Sequence, residues 1–152
     1  MRVTLTPVVE TEYEDFFALL EPYHRELDGY EAPTADTTSA QDYRRATLAD
    51  MHGRELLWFA VDGERAGLAI VLTLPDWPDG TRQVATILEF YVAPEQRRRG
   101  VGRAAVEALL AEHRGRGTAL VEAGILSGNQ PAQAFWAELG FQVRSLQTAR
   151  RP

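Results

Sequence analysis

The stretch Val92 to Arg103, VAPEQRRRGVGR, constrains this chain more than any other. An apolar strand ends, a short charged loop follows, and two glycines open a helix. The start of a helix carries unpaired backbone N–H groups and the positive end of the macrodipole, so small residues there let an anionic oxygen approach the amides. Gly100 and Gly102 provide that closeness, and Arg97, Arg98, Arg99 and Arg103 bring guanidinium groups suited to phosphate oxygens. The local expectation is a diphosphate cradle built from backbone and reinforced by fixed charge.

The chain has 152 residues, the length of a single domain, and we expect one domain over residues 1–152. A domain of this size buries roughly 70% of its unfolded surface and needs no disulfide or metal to fold. It has no cysteine, which excludes disulfides, Cys-ligated metals and a thiol nucleophile. No apolar run approaches the roughly 20 residues of a membrane span, and the N-terminus lacks a signal-peptide core, so a cytoplasmic protein is expected. His24, His52 and His113 lie in different segments without metal-ligand spacing, so no metal is expected and packing or surface roles are assigned to them.

The net charge of −6 argues against a general nucleic-acid surface. Its distribution is uneven: residues 1–50 hold 11 carboxylates and 4 arginines, whereas residues 95–116 hold 6 arginines and 3 glutamates. A basic end suits a phosphorylated cofactor, and an acidic end a cationic substrate.

Along the chain, RVTLTPVV reads as a strand, and Thr11 with Glu14 reads as a capping box before a helix carrying Phe16, Phe17, Leu19, Leu20 and Tyr23. LDGYEAPTADTT reads as a loop, and Ser39 caps a second helix to about Met51. ELLWFAVDGERAGLAIVLTL is a hairpin turning at Asp62-Gly63, and VATILEFYV is the next strand. A helix from Val101 to Arg114 should bury Val101, Ala104, Ala105, Ala108 and Leu109. TALVEAGIL is a further strand, Asn129 or Gln130 caps a short helix stopped by Gly140, and FQVRSLQT is a last strand.

Two motif readings compete at the glycines. GVGRAA fits G-x-G-x-x-A with Glu122 about 20 residues on, as in dinucleotide-binding folds. There, however, the first glycine follows its strand almost directly in a longer parallel sheet, whereas here PEQRRR intervenes near the end of the chain. VAPEQRRRGVG instead resembles the acetyl-CoA-binding motif of the GNAT superfamily of N-acetyltransferases, and NQPAQAFWAELGF resembles its second motif. Together they cover about residues 84 to 142 in the order and spacing of that family.

The resemblance implies an α/β fold of the α+β type. Its mixed, mostly antiparallel sheet is flanked by helices, with the fourth and fifth strands splayed to admit acetyl-CoA. The chain ends about ten residues after Phe141, so the final strand would be short or missing, and a homodimer completing the sheet is the expected partner arrangement. By the same resemblance, Arg97, Arg98, Arg99, Gly100, Val101, Gly102 and Arg103 surround the pyrophosphate. Tyr91, Val92 and Ala93 follow a bulge in the fourth strand and pair through their backbone with pantetheine. Asn129, Ala132, Phe135 and Trp136 line the thiol side, with Phe135 the core member of the aromatic pair.

Acetyl would then pass directly to a primary amine of a small molecule or peptide, with no nucleic acid or membrane as partner. Glu89 is the first candidate for the base and Glu122 the second, each a strand carboxylate able to take the ammonium proton. Tyr23, His24, Tyr30 and Glu31 lie on the helix and loop that cover the acceptor in the family, and Glu89 faces the same acceptor. The family's usual second aromatic is tyrosine, a proton donor to the thiolate, but this chain has Trp136, whose indole is no acid at neutral pH. Either Tyr91, another hydroxyl or water serves, or the step needs no acid because a CoA thiolate leaves tolerably well. A catalytically idle CoA-binding module on the same fold is the alternative reading.

Overall fold

The computed structural model describes residues 1–30 and 38–152. Its elements run β1 (Val3–Pro7), α1 (Tyr13–Asp28), α2 (Ala40–Ala49), β2 (Arg54–Val61), β3 (Glu64–Pro75), β4 (Gln83–Val92), α3 (Val101–Gly115), β5 (Leu120–Ala123) and α4 (Gln130–Glu138). Single 3-10 turns lie at Glu10–Glu12 and Pro94–Gln96. The five strands pair in the order β1-β2-β3-β4-β5, antiparallel throughout except for the parallel β4–β5 pair.

Alternation along β2, β3 and β4 divides two apolar layers. On one face Leu56, Trp58, Leu68, Ile70 and Tyr91 pack against Phe16, Phe17 and Leu20 of α1, with Tyr43 and Leu48 of α2 at the margin. On the other, Leu57, Ala69, Val71, Ala85 and Ile87 pack against Val106 and Leu109 of α3 and Trp136 of α4. Trp58 and Phe59, adjacent in β2, are both buried because they serve opposite layers.

One extra residue disturbs this alternation. The register runs Ile70 opposite Glu89 but Val71 opposite Ile87, so Leu88 is a bulge with no partner of its own. Ile87 therefore points into the α3/α4 layer, whereas Glu89 and Tyr91 point to the α1/α2 face. Beyond the bulge the sheet also opens: β4 pairs with β5 only from Val84 to Ile87, although β4 continues to Val92. Among the described residues its outer edge from Leu88 to Val92 has no strand partner, which is the splay expected between the fourth and fifth strands.

Several local expectations need correcting. Thr11 and Glu14 form no capping box: α1 follows directly on the 3-10 turn without a side-chain cap of its own, and it is that turn that is capped, the Val9 N–H donating to Glu12 Oε1 at 3.1 Å. On α3 the buried stripe is Val101, Ala105, Val106, Leu109 and His113, so Ala104 and Ala108 lie at its margin. FQVRSLQT forms no strand. No strand among the described residues receives it; Val143 and Leu146 are 82% and 84% exposed, and Arg144 instead reaches Glu122 on β5. The Asp62-Gly63 turn is as expected, with φ of 50° and 90°, the left-handed pair a tight hairpin requires.

Candidate active site

The loop from β4 to α3 places its backbone donors outward. Arg98 and Gly100 adopt φ of 58° and 80°, and α3 begins at Val101 without a side-chain cap. Among the described residues, the first amide in this region with a backbone acceptor is that of Ala104, which donates to Gly100 O at 3.0 Å; those of Arg98 to Arg103 have none. A run of free amides at a helix start, with left-handed residues between them, is an anion-binding concavity. Arg98 and Arg103 are exposed and make no ion pair among the described residues, so both guanidinium groups remain free for an anion. This geometry fits a pyrophosphate.

The other arginines are partly committed. Arg99 donates to Gln96 Oε1 at 3.0 Å. Arg97 turns back under the loop, donating to Val92 O at 2.8 Å and to both oxygens of Glu26 on α1 at 2.9 and 3.1 Å. Its guanidinium carbon also lies 5.1 Å from the centre of the Tyr91 ring. The Arg97 side chain thus ties the loop to α1, leaving its neighbours to face solvent.

Gly102 has a second role in packing. A Cβ there would lie 3.2 Å from Phe135 and 3.3 Å from Val92, so the glycine lets α4 approach the start of α3. Phe135 stacks on Phe90 at 5.9 Å, and Trp136 meets Phe90 at 5.4 Å and Phe141 at 4.9 Å, edge to face. Of the aromatic pair, Trp136 is the core residue, 6% exposed, and Phe135 the half-buried one, the reverse of the sequence expectation. Asn129 caps α4, its Oδ1 accepting from the Ala132 N–H at 3.1 Å. That fixes Ala132 on the first turn of α4, in the layer beside the open edge of β4.

On the α1/α2 face, Glu89 is the focus. Tyr43 Oη donates to Glu89 Oε1 at 2.7 Å, and His24 Nε2 lies 3.3 Å from the same oxygen. The His24 and Tyr43 rings meet edge to face at 4.5 Å, and Tyr23 packs on Tyr91 at 5.2 Å. Burial, followed by the negative charge of Glu89, holds the Tyr23 and Tyr43 phenols far above the ordinary tyrosine range. Burial, then Glu26, raises Tyr91 as well. All three phenols stay protonated at neutral pH. A cleft of ≈ 460 Å³ opens beside Glu89, lined by Tyr43, Ala46, Thr47, Asp50, Arg54, Leu88 and Glu89.

The remaining sequence candidates lie at the margins. Glu122 stands opposite Thr86 and is already paired, its Oε1 2.5 Å from Arg144 Nη1. Tyr30 follows α1 and its backbone comes within 3.4 Å of a Cβ built on Gly128, so the end of α1 meets the β5–α4 loop. Glu31 lies outside the described residues. Sequence reasoning passed over Tyr43 and gave His24 a packing or surface role beside the acceptor, not a contact with the candidate base, yet both contact Glu89. Their partners are 46 and 65 residues away in the chain, beyond any local motif. Among the described residues no group of His, Asp and Glu could hold a metal.

A splayed sheet, an amide cradle after its fourth strand and an aromatic-bearing helix beside the opening are the features of an acyl-CoA-dependent acetyltransferase. The chain belongs to the acetyltransferase (GNAT) family, whose sequence profile matches residues 13–141. Solved structures carry the same fold. A ribosomal-protein-alanine N-acetyltransferase from Brucella melitensis is 18% identical with a TM-score of 0.76, covering 99% of each chain. An acetyltransferase from Trypanosoma brucei is 21% identical with a TM-score of 0.69, over 99% of this chain and 100% of that one. An aminoglycoside acetyltransferase from an uncultured soil sample is 11% identical with a TM-score of 0.71, over 99% and 96%. No curated protein matches the sequence. Among the described residues, no helix is long and apolar enough to cross a membrane.

Proposed function

We propose that this protein transfers acetyl from acetyl-CoA directly to a primary amine of a cationic small molecule or peptide. The observation that carries this reading is the position of Glu89, delivered by the Leu88 bulge to the face beside the open edge of β4 and lining a cleft large enough for an amine.

Acetyl-CoA supplies the acyl group and a thiol leaving group. The free amides of Arg98 to Arg103, with the guanidinium groups of Arg98 and Arg103, bind its diphosphate. The edge of β4 at Tyr91 and Val92 receives the pantetheine backbone, the Ala93 N–H being given to Ala66 O and the Val92 carbonyl to Arg97. Glu89 takes one proton from the acceptor ammonium, leaving a neutral nitrogen able to attack the acetyl carbon. The C–N bond forms as the C–S bond breaks, and the second proton of that nitrogen passes, directly or through a phenol or water, to the departing thiolate. Tyr23 and Tyr91, both held protonated, are phenols on that face, the third, Tyr43, donating to Glu89. Glu122 ranks behind Glu89 as base because Arg144 already neutralises it. Much of the rate would come from holding donor and acceptor together.

The acceptor class follows from charge: the N-terminal half is acidic, and the cleft presents the carboxylates of Glu89 and Asp50 against one arginine, Arg54. Structural neighbours acetylating ribosomal-protein alanine or aminoglycosides show that this fold accommodates both peptide and small-molecule amines. One observation favours a second reading, an idle CoA-binding module: Trp136 occupies the usual tyrosine position and is locked among Phe90, Phe135 and Phe141. Calorimetric titration with acetyl-CoA, then a thiol-release assay against spermidine, an aminoglycoside and an alanine-initiated peptide, separates these readings. Failure to bind acetyl-CoA at millimolar concentration overturns both, and binding without release on any amine favours the idle module.

A further inference from the structure

Glu89 carries its charge into a site where only 11% of its side chain is exposed, and the helices above it answer that burial with donors. An ionised carboxylate only accepts, so the single hydroxyl proton of Tyr43 is committed to Oε1, and His24 meets the same oxygen with an N–H at Nε2. Their edge-to-face contact fixes the direction from which each ring reaches that oxygen. Tyr43 is anchored in turn by the Thr47 hydroxyl, which donates to its carbonyl at 2.8 Å. Tyr23 from α1 also interacts with the Glu89 carboxyl, while Arg54 and Asp50 line the adjoining cleft.

We propose that His24 and Tyr43 are positioning residues for Glu89: by holding Oε1 from two helices, they aim the rest of the carboxylate at the acceptor ammonium entering between α2 and the Leu88 bulge. The inference rests on the acetyl-transfer reading above. Neither residue touches the reacting atoms. Each removes orientations of the carboxyl that would leave the ammonium out of line, and such orientation contributes directly to rate.

The test places Tyr43→Phe, His24→Leu and His24→Gln in the wild-type and in the Glu89→Gln background, using spermidine, an aminoglycoside and an alanine-initiated peptide as acceptors. Tyr43→Phe and His24→Leu should lower kcat/KM at least tenfold with acetyl-CoA affinity unchanged. His24→Gln, which keeps an N–H donor, should stay within threefold of wild type. In the Glu89→Gln background each substitution should change the rate less than twofold, because its effect passes through Glu89. Equal losses in both backgrounds, or no loss beside an intact Glu89, overturn the proposal.

A wild-type protein that binds acetyl-CoA and acetylates none of the three amines overturns the acetyl-transfer reading instead. Tyrosinate absorbance after rapid jumps to alkaline pH then judges the contact without turnover. Glu89→Gln should let Tyr23 and Tyr43 ionise at lower pH, which upholds the positioning contact, whereas traces identical to wild type overturn it.

Discussion

At the scale of single residues, Glu89 and His113 show opposite uses of burial. General-base contributions are typically 10²- to 10⁴-fold, so Glu89→Gln should lower turnover within that range and leave acetyl-CoA affinity intact, as calorimetry and initial rates would show. His113 is 2% exposed at the end of α3, and its Nδ1 lies 2.9 Å from Thr118 Oγ1. Burial first, and Arg116 second, lower its proton affinity below the ordinary histidine value. The folded protein therefore resists a proton that the unfolded chain accepts, and stability falls as pH drops below about 6.5, the unfolded histidine value. Melting temperatures measured between pH 7 and pH 5 should decline, and His113→Asn should flatten the part of that decline due to this residue. His113 was only half legible: the sequence left it between a packing and a surface role, although it sits four positions after Leu109 on the α3 stripe. Glu89's partners were not legible, since only the packed sheet brings α1, α2 and β4 together.

At the scale of elements, the β4–α3 connection was the most legible part of the chain. Its signals are local: an apolar strand, a charged loop, and glycines where a helix must begin. The structure adds a second reason for Gly102, which lies against Phe135 and Val92 as well as facing the loop. Replacing Gly100 and Gly102 together with valine should abolish acetyl-CoA binding. Gly102→Val alone should also cost about 1–3 kcal/mol of stability by overpacking, read from urea unfolding, because the added atoms press on Phe135. Gly67 is more confined, since a Cβ there would come within 2.1 Å of the Tyr91 carbonyl and 2.2 Å of the Phe59 ring. Gly67→Ala should therefore destabilise the protein at least as much as the Gly102 substitution. The C-terminal stretch was misread for a related reason. FQVRSLQT has strand-like composition, but composition cannot supply a neighbour to pair with.

At the scale of the whole molecule, two apolar layers share one sheet and no linker divides them, so we propose that residues 1–152 unfold as one domain. Far-ultraviolet circular dichroism and tryptophan fluorescence should give coincident urea transitions, and separated midpoints would overturn the single unit. The charge distribution carries a second prediction at this scale. If the acidic half draws in a cationic acceptor, the KM for spermidine should rise with added salt as the Debye length shrinks below about 8 Å, while kcat changes little. The order of strands and helices was legible because each turn carries its own signal, Asp62-Gly63 above all. The opening between β4 and β5 rested on family likeness, because no residue announces where a parallel pairing stops.

The Leu88 bulge also bears on how β4 tolerates change. Along an ordinary strand, sensitivity to substitution oscillates with a period of two and keeps one phase from end to end. Here the phase slips once: Ala85 and Ile87 belong to one apolar layer before the extra residue, and Phe90 and Val92 to that same layer after it. A saturation scan of the strand would resemble two odd–even rhythms spliced at Leu88, not one. Deleting Leu88 would restore one rhythm and leave Glu89 and Tyr91 on the α1/α2 face. Pairing Leu88 in regular register would also impose a single rhythm, but it would turn both residues into the oily layer against α3, exchanging a site for a core.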